Sequence, residues 1–227
     1  MTTVRIFAIR PEPGLTSTIT AGVGKGIAII GHALSRVEPR GWTLPNLGGI
    51  DGLLVGSANA IRQAGNKLEA LQGLPVLAVG QATADCAKDA GLSVEQVGKG
   101  GLQQLLDDLP SKPRHLLRLA GEDHVALDRP ANINLTTRIA YRMQPIAMEA
   151  DFANLLMSEA IVLLHSASAA AHFASECNRM EIARGQITLA ALGPRILESV
   201  GLGWRKKRAA ETPDDDALLA LLQDLCH

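Results

Sequence analysis

The stretch that decides the fold runs from Ile50 to Leu109. It contains Leu53-Leu54-Val55-Gly56-Ser57-Ala58, then Leu77-Ala78-Val79-Gly80, then Gly91-Leu92, then Leu102 with Leu105-Leu106. Short aliphatic runs closed by Gly or Ser alternate with segments whose apolar residues recur at helical spacing. Apolar runs without strict alternation suit strands covered on both faces, as in a parallel sheet flanked by helices. The pattern returns once: residues 161–225 hold Leu163-Leu164-His165-Ser166-Ala167, Ala190-Ala191-Leu192-Gly193, Gly201-Leu202, and Leu218-Leu219 with Leu221-Leu222. Ser166 follows Ser57 by 109 residues, Gly193 follows Gly80 by 113 and Gly201 follows Gly91 by 110, so only small insertions separate the copies. Each copy reads strand, Ser at the strand end, helix, strand, Gly turn, helix, strand, helix. Ligands of open parallel sheets sit beyond the carboxyl ends of the strands. The two Ser turns and two Gly turns are therefore expected on the rims of two similar domains that face each other across a cleft.

Around the repeat the same alternation continues. Residues 6–9 form an apolar strand closed by Arg10-Pro11-Glu12-Pro13, residues 16–23 a helix ending in glycines, and residues 27–30 a second strand. Residues 116–120 and 133–141 read as strands between the two copies, and 151–158 as a helix. Gly91 stands where a helix over 82–90 needs a C-cap. Residues 204–209 read as a basic strand, whose Arg205-Lys206-Lys207-Arg208 run suits a solvated sheet edge.

Composition sets the outer limits. The chain has 227 residues, with 22 basic and 23 acidic side chains and a formal charge of −1. At roughly 100–150 residues per domain this is one large domain or two small ones. A hydrophobic share of 47 % with balanced charge excludes a disordered chain. The longest apolar run, residues 217–222, is far short of the roughly 20 residues a bilayer needs. Only six aromatics occur, Phe7, Trp42, Tyr141, Phe152, Phe173 and Trp204. Near-zero charge and few rings argue against a general nucleic-acid binder. The first eleven residues lack an apolar core and a small-residue cleavage site, which predicts a mature cytoplasmic protein. Cys86, Cys177 and Cys226 are odd in number and widely spaced, so reduced thiols are expected.

Motifs with their own chemistry are tested by position. A Walker loop around Gly24-Lys25 would need Gly at 19 and Ser or Thr at 26, where Ile19 and Gly26 stand; the segment 22–26 reads instead as a helix end and turn. Ser57 and Ser166 lack the GxSxG elbow, since 55 is Val, 59 Asn, 164 Leu and 168 Ser, so helix capping is expected of both. The six histidines show neither HxxxH nor HExxH spacing, which leaves no metal site in the pattern. Thr212-Pro213-Asp214-Asp215-Asp216 predicts an N-cap at Thr212, Pro at the first helical position and acids against the positive helix end. The lone Tyr141 falls just before Arg142 and Pro145, where the chain is expected to pass between domains.

The order of these pieces resembles the uroporphyrinogen-III synthase family over essentially the whole chain. The segments that carry the resemblance are Arg10-Pro11-Glu12-Pro13; Asp51 through Ile61; Val79-Gly80-Gln81-Ala82-Thr83-Ala84; and Leu117-Arg118-Leu119-Ala120-Gly121-Glu122. They continue with Ile139-Ala140-Tyr141-Arg142; Leu164-His165-Ser166-Ala167-Ser168; Leu192-Gly193-Pro194; and Thr212 through Leu219. The resemblance implies two similar flavodoxin-like parallel-sheet α/β domains joined by a two-stranded linker. Domain 1 is discontinuous, 1–35 plus 147–227, and domain 2 is 36–146, with the active-site cleft between them. The implied activity is a cyclising lyase of haem biosynthesis that closes hydroxymethylbilane to uroporphyrinogen III, losing water and inverting the last pyrrole ring, without cofactor or metal. The implied partners are the linear tetrapyrrole and, in a transient hand-over, hydroxymethylbilane synthase; no nucleic acid or membrane is involved and the chain is a monomer. Carried over by position, Tyr141 is the expected catalytic group at the departing hydroxyl. Arg10, Ser57, Ala58, Gly80, Thr83, Ser166, Ala167, Gly193 and Pro194 are the expected substrate-binding residues. Gly56, Ala120 and Ile196 depart from the family's usual Thr, Arg and Thr. Gly56 and Ile196 motivate the alternative expectation, a non-catalytic two-lobed ligand-binding or sensor module of the same architecture.

Overall fold

Each apolar run closed by Gly or Ser becomes a strand, and each helical-period segment a helix. The computed structural model describes residues 4–225; Cys226 and His227 lie outside them. In chain order the first elements are β1 (Arg5–Ala8), α1 (Gly14–Gly24), β2 (Ile29–Gly31), β3 (Ser35–Pro39), β4 (Gly52–Val55), α2 (Ala58–Arg62), β5 (Val76–Val79), α3 (Gln81–Asp89), β6 (Val94–Gly98) and α4 (Leu102–Asp107). There follow β7 (Arg114–Gly121), β8 (Ile133–Pro145), α5 (Ala150–Leu155), β9 (Ala160–Leu164), α6 (Ala167–Arg179), β10 (Ile187–Ala191), α7 (Pro194–Glu198), β11 (Lys206–Ala209) and α8 (Asp215–Leu225).

The chain divides into two compact units, one combining the residues up to Arg36 with those from Gln144 onward, the other running Val37–Met143. The first holds a five-stranded sheet in the order β11-β10-β9-β1-β2, the second a six-stranded sheet in the order β3-β8-β7-β4-β5-β6. The ladders of β1 with β2 and β9, and of β10 with β9 and β11, are parallel. So are those of β4 with β5 and β7, of β5 with β6, and of β7 with β8. Setting β3 aside, the sheets share one spatial order. From β2 to β11 and from β8 to β6 the third position belongs to β9 and β4, the strands that open the two copies of the sequence repeat. The order from β2 to β11 is the flavodoxin-like 2-1-3-4-5; the second sheet has the same order entered from its middle strand.

Both sheets are buried on both faces. In the first unit Phe7, Val162, Leu164, Leu189 and Ala191 meet Phe152 of α5 and Phe173 of α6, with Ile196 of α7 packed against them. The opposite face sets Ile6, Ala8, Ile161 and Leu163 against Leu15 of α1 and Leu218, Leu219 and Leu222 of α8. In the second unit Leu53, Val55, Ala78, Leu117 and Leu119 meet Ala60 and Ile61 of α2 and Ala84 and Ala87 of α3. Leu54, Leu77, Leu116 and Ile133 face Leu105 and Leu106 of α4. Full burial on both sides is why these strands read as continuous apolar runs.

Several boundaries differ from the sequence expectation for local reasons. The second strand starts at Ile29, because the amide of Ile27 donates to Gly22 O at 2.9 Å and closes the turn after α1. The helix begun at Ala58 ends at Arg62 and resumes as a 3₁₀ turn over Gly65–Leu71, where Gly65 has a φ of +67°. The N-cap of α8 is Asp214, not Thr212: its carboxylate accepts from Ala217 N at 2.8 Å, and Pro213 lies before the helix. The basic run does form an edge strand, β11, with alternating exposure.

Candidate functional site

Doubly wound sheets open a crevice at the C-terminal strand ends where the covering helices change face. In the first unit that point lies between β1 and β9, followed by α1 and α6 on opposite faces; in the second it lies between β4 and β7.

At the first rim, β1 runs out into Arg10 and β9 into His165. Arg10 Nη1 donates to Asp215 Oδ2 at 3.0 Å, to Asp215 Oδ1 at 3.3 Å and to Thr18 Oγ1 at 3.2 Å. Thr18 Oγ1 donates in turn to Asp215 Oδ2 at 3.0 Å, and His165 Nε2 lies 3.1 Å from Asp215 Oδ1. A carboxylate can only accept, so Nε2 carries the proton. Burial pulls the His165 pKa below its ordinary value, against the hydrogen bond to Asp215 that raises it, so the ring is neutral. Its buried Nδ1 has no partner among the described residues and is a bare acceptor in that tautomer. Burial pushes Asp215 upward, but the His165 hydrogen bond, the Arg10 charge and the Thr18 hydrogen bond outweigh it and hold the carboxyl below its usual range. The cluster ties the start of α8 to the ends of β1 and β9.

At the second rim, β4 runs out into Gly56-Ser57 and β7 into Ala120-Gly121. The β7–β8 ladder shifts register there: Ala120 pairs with Ile139, but Gly121 pairs with Tyr141. This bulge skips one residue of β8 and brings Tyr141, half-buried, onto the α2–α3 side of the sheet opposite Gly121. A Cβ at position 121 would lie 2.7 Å from Tyr141 Cζ and 2.9 Å from its hydroxyl oxygen, so only glycine leaves the ring where it is. The backbone is pinned on both sides. Glu122 N donates to Tyr141 O at 2.9 Å and Arg40 N to Ala140 O at 2.8 Å, while Arg40 pairs with Glu122 and Arg142 Nη2 with Glu38 at 2.7 Å. The Tyr141 hydroxyl has no hydrogen bond to any described residue.

The remaining expected residues divide between the rims. Ser57 and Ser166 cap α2 and α6, accepting from Asn59 N and Ala169 N at 3.2 Å each, with Ala58 and Ala167 as the first helical residues. Gly80 sits at the N-cap of α3 with a φ of +76°, and no side chain caps that helix start. Thr83 lies two residues into that helix and is only 5 % exposed. Gly193 and Pro194 open α7, again without a side-chain cap. Arg10, Ser166, Ala167, Gly193 and Pro194 thus share the first unit, and Ser57, Ala58, Gly80, Thr83 and Tyr141 the second. Of the departures, Gly56 admits Leu102, whose Cδ1 lies 2.7 Å from where a Cβ would be, and Ile196 packs on the α5–α7 core. Sequence reading missed the partnership of His165 and Asp215 with Arg10, and the burial of Arg118. The only prior signal was a histidine and an arginine at or inside apolar runs. Among the described residues no three His, Cys, Asp or Glu side chains come together to hold a metal ion, and no helix is long and apolar enough to cross a membrane.

Two doubly wound sheets of one strand order, in a chain that leaves its first unit and re-enters it, define a two-unit flavodoxin-like α/β protein whose candidate ligand sites are the C-terminal rims. The family model for uroporphyrinogen-III synthase HemD matches residues 29–220, and the chain belongs to the uroporphyrinogen-III synthase family, cyclising lyases of tetrapyrrole biosynthesis. The fold is similar to that of uroporphyrinogen-III synthetase from Helicobacter pylori 26695, at a TM-score of 0.65 and 17 % identity over 98 % of this chain and 99 % of that one. It is also similar to a mutant uroporphyrinogen III synthase from the extremely thermophilic bacterium Thermus thermophilus, at a TM-score of 0.56 and 15 % identity over 98 % of each chain. No curated protein sequence matches the chain.

Proposed function

We propose that the two rims carry out the family's reaction, closure of linear hydroxymethylbilane to uroporphyrinogen III with loss of water and inversion of the last ring, and that Tyr141 assists departure of the substrate hydroxyl. The observation that carries this reading is the placement of Tyr141: half-buried at a C-terminal rim, held by a bulge and a glycine, its hydroxyl uncommitted among the described residues. The chemistry asks little of a side chain. The electron-rich pyrrole drives ionisation of its own hydroxymethyl group, so one weak acid or hydrogen-bond donor at the leaving oxygen suffices. The larger demand is orientation, since the substituted carbon of the last ring must attack. Substrate carboxylates are held by backbone amides at the strand–helix turns, at the uncapped starts of α3 (Gly80) and α7 (Gly193, Pro194), beside the serine-capped turns Ser57-Ala58 and Ser166-Ala167. Arg10 contributes through the cluster it shares with Asp215. The uncapped start of α3 at Gly80 supports this assignment. The reading includes a monomer in the cytoplasm that receives its substrate from hydroxymethylbilane synthase.

Turnover of enzymatically generated hydroxymethylbilane, with separation of the product isomers, tests it. Isomer III is expected from the wild-type protein, and Tyr141→Phe is expected to lower kcat far more than product affinity. Isomer I alone, the spontaneous product, would favour the non-catalytic module, and unchanged turnover in Tyr141→Phe would reduce that residue to packing.

A further inference from the structure

Arg118 lies in β7, level with Leu54 of β4 and Thr137 of β8. Strand alternation sets its face: Leu117 and Leu119 belong to the core under α2 and α3 and Leu116 to the core under α4, so Arg118 stands on the α4 side. It is 3 % exposed; its Nε is closed to solvent without a partner, and no hydrogen bond or ion pair from a described residue reaches its guanidinium. Other arginines show what is missing. Arg114, earlier on the same face of β7, is locked to Glu95 by bonds of 2.9 and 2.8 Å, and Arg10, Arg142 and Arg179 have Asp215, Glu38 and Glu176.

A guanidinium keeps its proton throughout the physiological range. Buried without a counter-charge, it destabilises the fold relative to a neutral side chain of similar size. Burial lowers the pKa of Arg118 with no opposing contribution from a nearby charge. The layer beyond it is also distinctive. Toward the C-terminal strand ends the same face continues into Gly56, Ala120 and Gly98, small residues over which α4 packs closely: a Cβ at Gly56 would lie 2.7 Å from Leu102 Cδ1, and one at Gly98 3.1 Å from Leu105 Cβ. Leu102 at the start of α4 lies against Gly56, and α4 is joined to the segment after β7 by the reciprocal Gln103–Asp128 hydrogen bonds, both 2.9 Å. An unpaired cation under a small-residue layer at the ligand rim is a site short of its anion.

We propose that Arg118 is an oxyanion-binding residue that takes a carboxylate of the substrate on the α4 side of the second rim. The proposal rests on the reading of the substrate as a polycarboxylate tetrapyrrole. The fork of the guanidinium matches a carboxylate at two points, and such a charged hydrogen bond sets the size of the effect. Replacing Arg118 by Met keeps the volume and removes the charge. Arg118→Met is expected to weaken binding of uroporphyrin III about 10- to 100-fold and to raise KM by a similar factor with a smaller change in kcat.

The test uses the full chain at constant ionic strength. Citrate is expected to raise the melting temperature of the wild-type protein, to raise that of Arg118→Met much less, and to act on Arg118→Lys to an intermediate degree. Should Arg118→Met fail to fold, the wild-type Arg118 Nε–H resonance is the reporter, and it is expected to shift as citrate binds. Equal citrate stabilisation and equal uroporphyrin III affinity in wild type and Arg118→Met, or an unmoved Nε–H signal, would overturn the proposal. A stronger Arg118-dependent response to phosphate than to citrate would overturn the carboxylate assignment. An Arg118-dependent citrate response in a protein that yields only isomer I would uphold the anion site and reject the synthase reading.

Discussion

Gly121→Ala probes Tyr141 without touching it. The added Cβ would sit 2.7 Å from Tyr141 Cζ, 2.9 Å from the hydroxyl oxygen and 3.0 Å from Cε2. An ordinary carbon–carbon contact is about 3.5 Å, so the ring must retreat by about 0.8 Å at its far end. The strands themselves are held by the β7–β8 ladder and by the Glu122–Tyr141 and Arg40–Ala140 hydrogen bonds, so the movement falls on the side-chain torsions. Turning the ring off its rotamer costs about 1 kcal/mol, which for a chain of this size lowers Tm by roughly 2–4 °C. The effect on rate is larger, because a misplacement near 1 Å at a reacting group lowers turnover by up to about 10²-fold. Hydroxymethylbilane turnover should therefore fall roughly 10- to 100-fold in kcat while the protein stays folded. In the Tyr141→Phe background Gly121→Ala should cost little more, since the group it displaces is already gone. Full activity in Gly121→Ala, or an equal loss with and without the Tyr141 hydroxyl, would refute the reasoning.

Three further outcomes follow from the buried ionisable groups. Asp215→Ala removes the shared acceptor of Arg10, Thr18 and His165 and is expected to cost about 2–4 kcal/mol in urea unfolding. Because the folded pKa of Asp215 is depressed, its stabilisation is complete above its ordinary value of 3.8 and is lost as pH falls through the lower folded value. The His165 pKa is depressed too, so its contribution is complete above 6.5 and declines as pH falls below that, when the unfolded chain protonates first. Wild-type stability should thus start to fall below 6.5, and His165→Gln should reduce that first decline to the part contributed by His32, whose pKa burial also lowers; an unaltered acid limb in the variant would count against the cluster. Burial pushes the Cys177 thiol up to about 12, so alkylation in mildly alkaline solution followed by peptide mapping should leave Cys177 unmodified until the protein unfolds. Native-state labelling of Cys177 as fast as that of the half-buried Cys86 would contradict this.

The fold was legible because its signal is local and repeated. Leu53-Leu54-Val55 and Leu163-Leu164 are apolar on both faces of their strands, and only a sheet covered on both sides gives them that company. The places where reading failed are those decided by partners distant in sequence. Asp215 looked like an acid set against a helix dipole, yet its oxygens are taken up by Arg10 and His165, which the fold brings from other strands. Thr212 looked like the cap because Pro213 follows it; Asp214, just beyond the proline, caps instead. Tyr141 stands out in the sequence as the lone tyrosine, but its geometry does not. Strict alternation would have turned it to the α4 side with Ile139, and the bulge opposite Gly121 turns it to the other.

The same limit explains why net charge was a poor guide to the ligand. A formal charge of −1 excludes a grip by bulk potential, but it says nothing about where single charges lie. In the first unit the rim cation, Arg10, is matched by Asp215 and further screened by Thr18, so the cluster is close to neutral and serves mainly to hold α8. In the second unit Arg118 is matched by no described residue. Two rims with one strand order and similar turns are therefore electrostatically unlike. On the proposed reading, a polycarboxylate bound through backbone amides finds a full, unshared positive charge at the second rim and none at the first. Such an asymmetry is what the proposed reaction needs, because inverting the ring at one end of a linear substrate requires its ends to be told apart, and bare helix starts repeated in each unit could not do that.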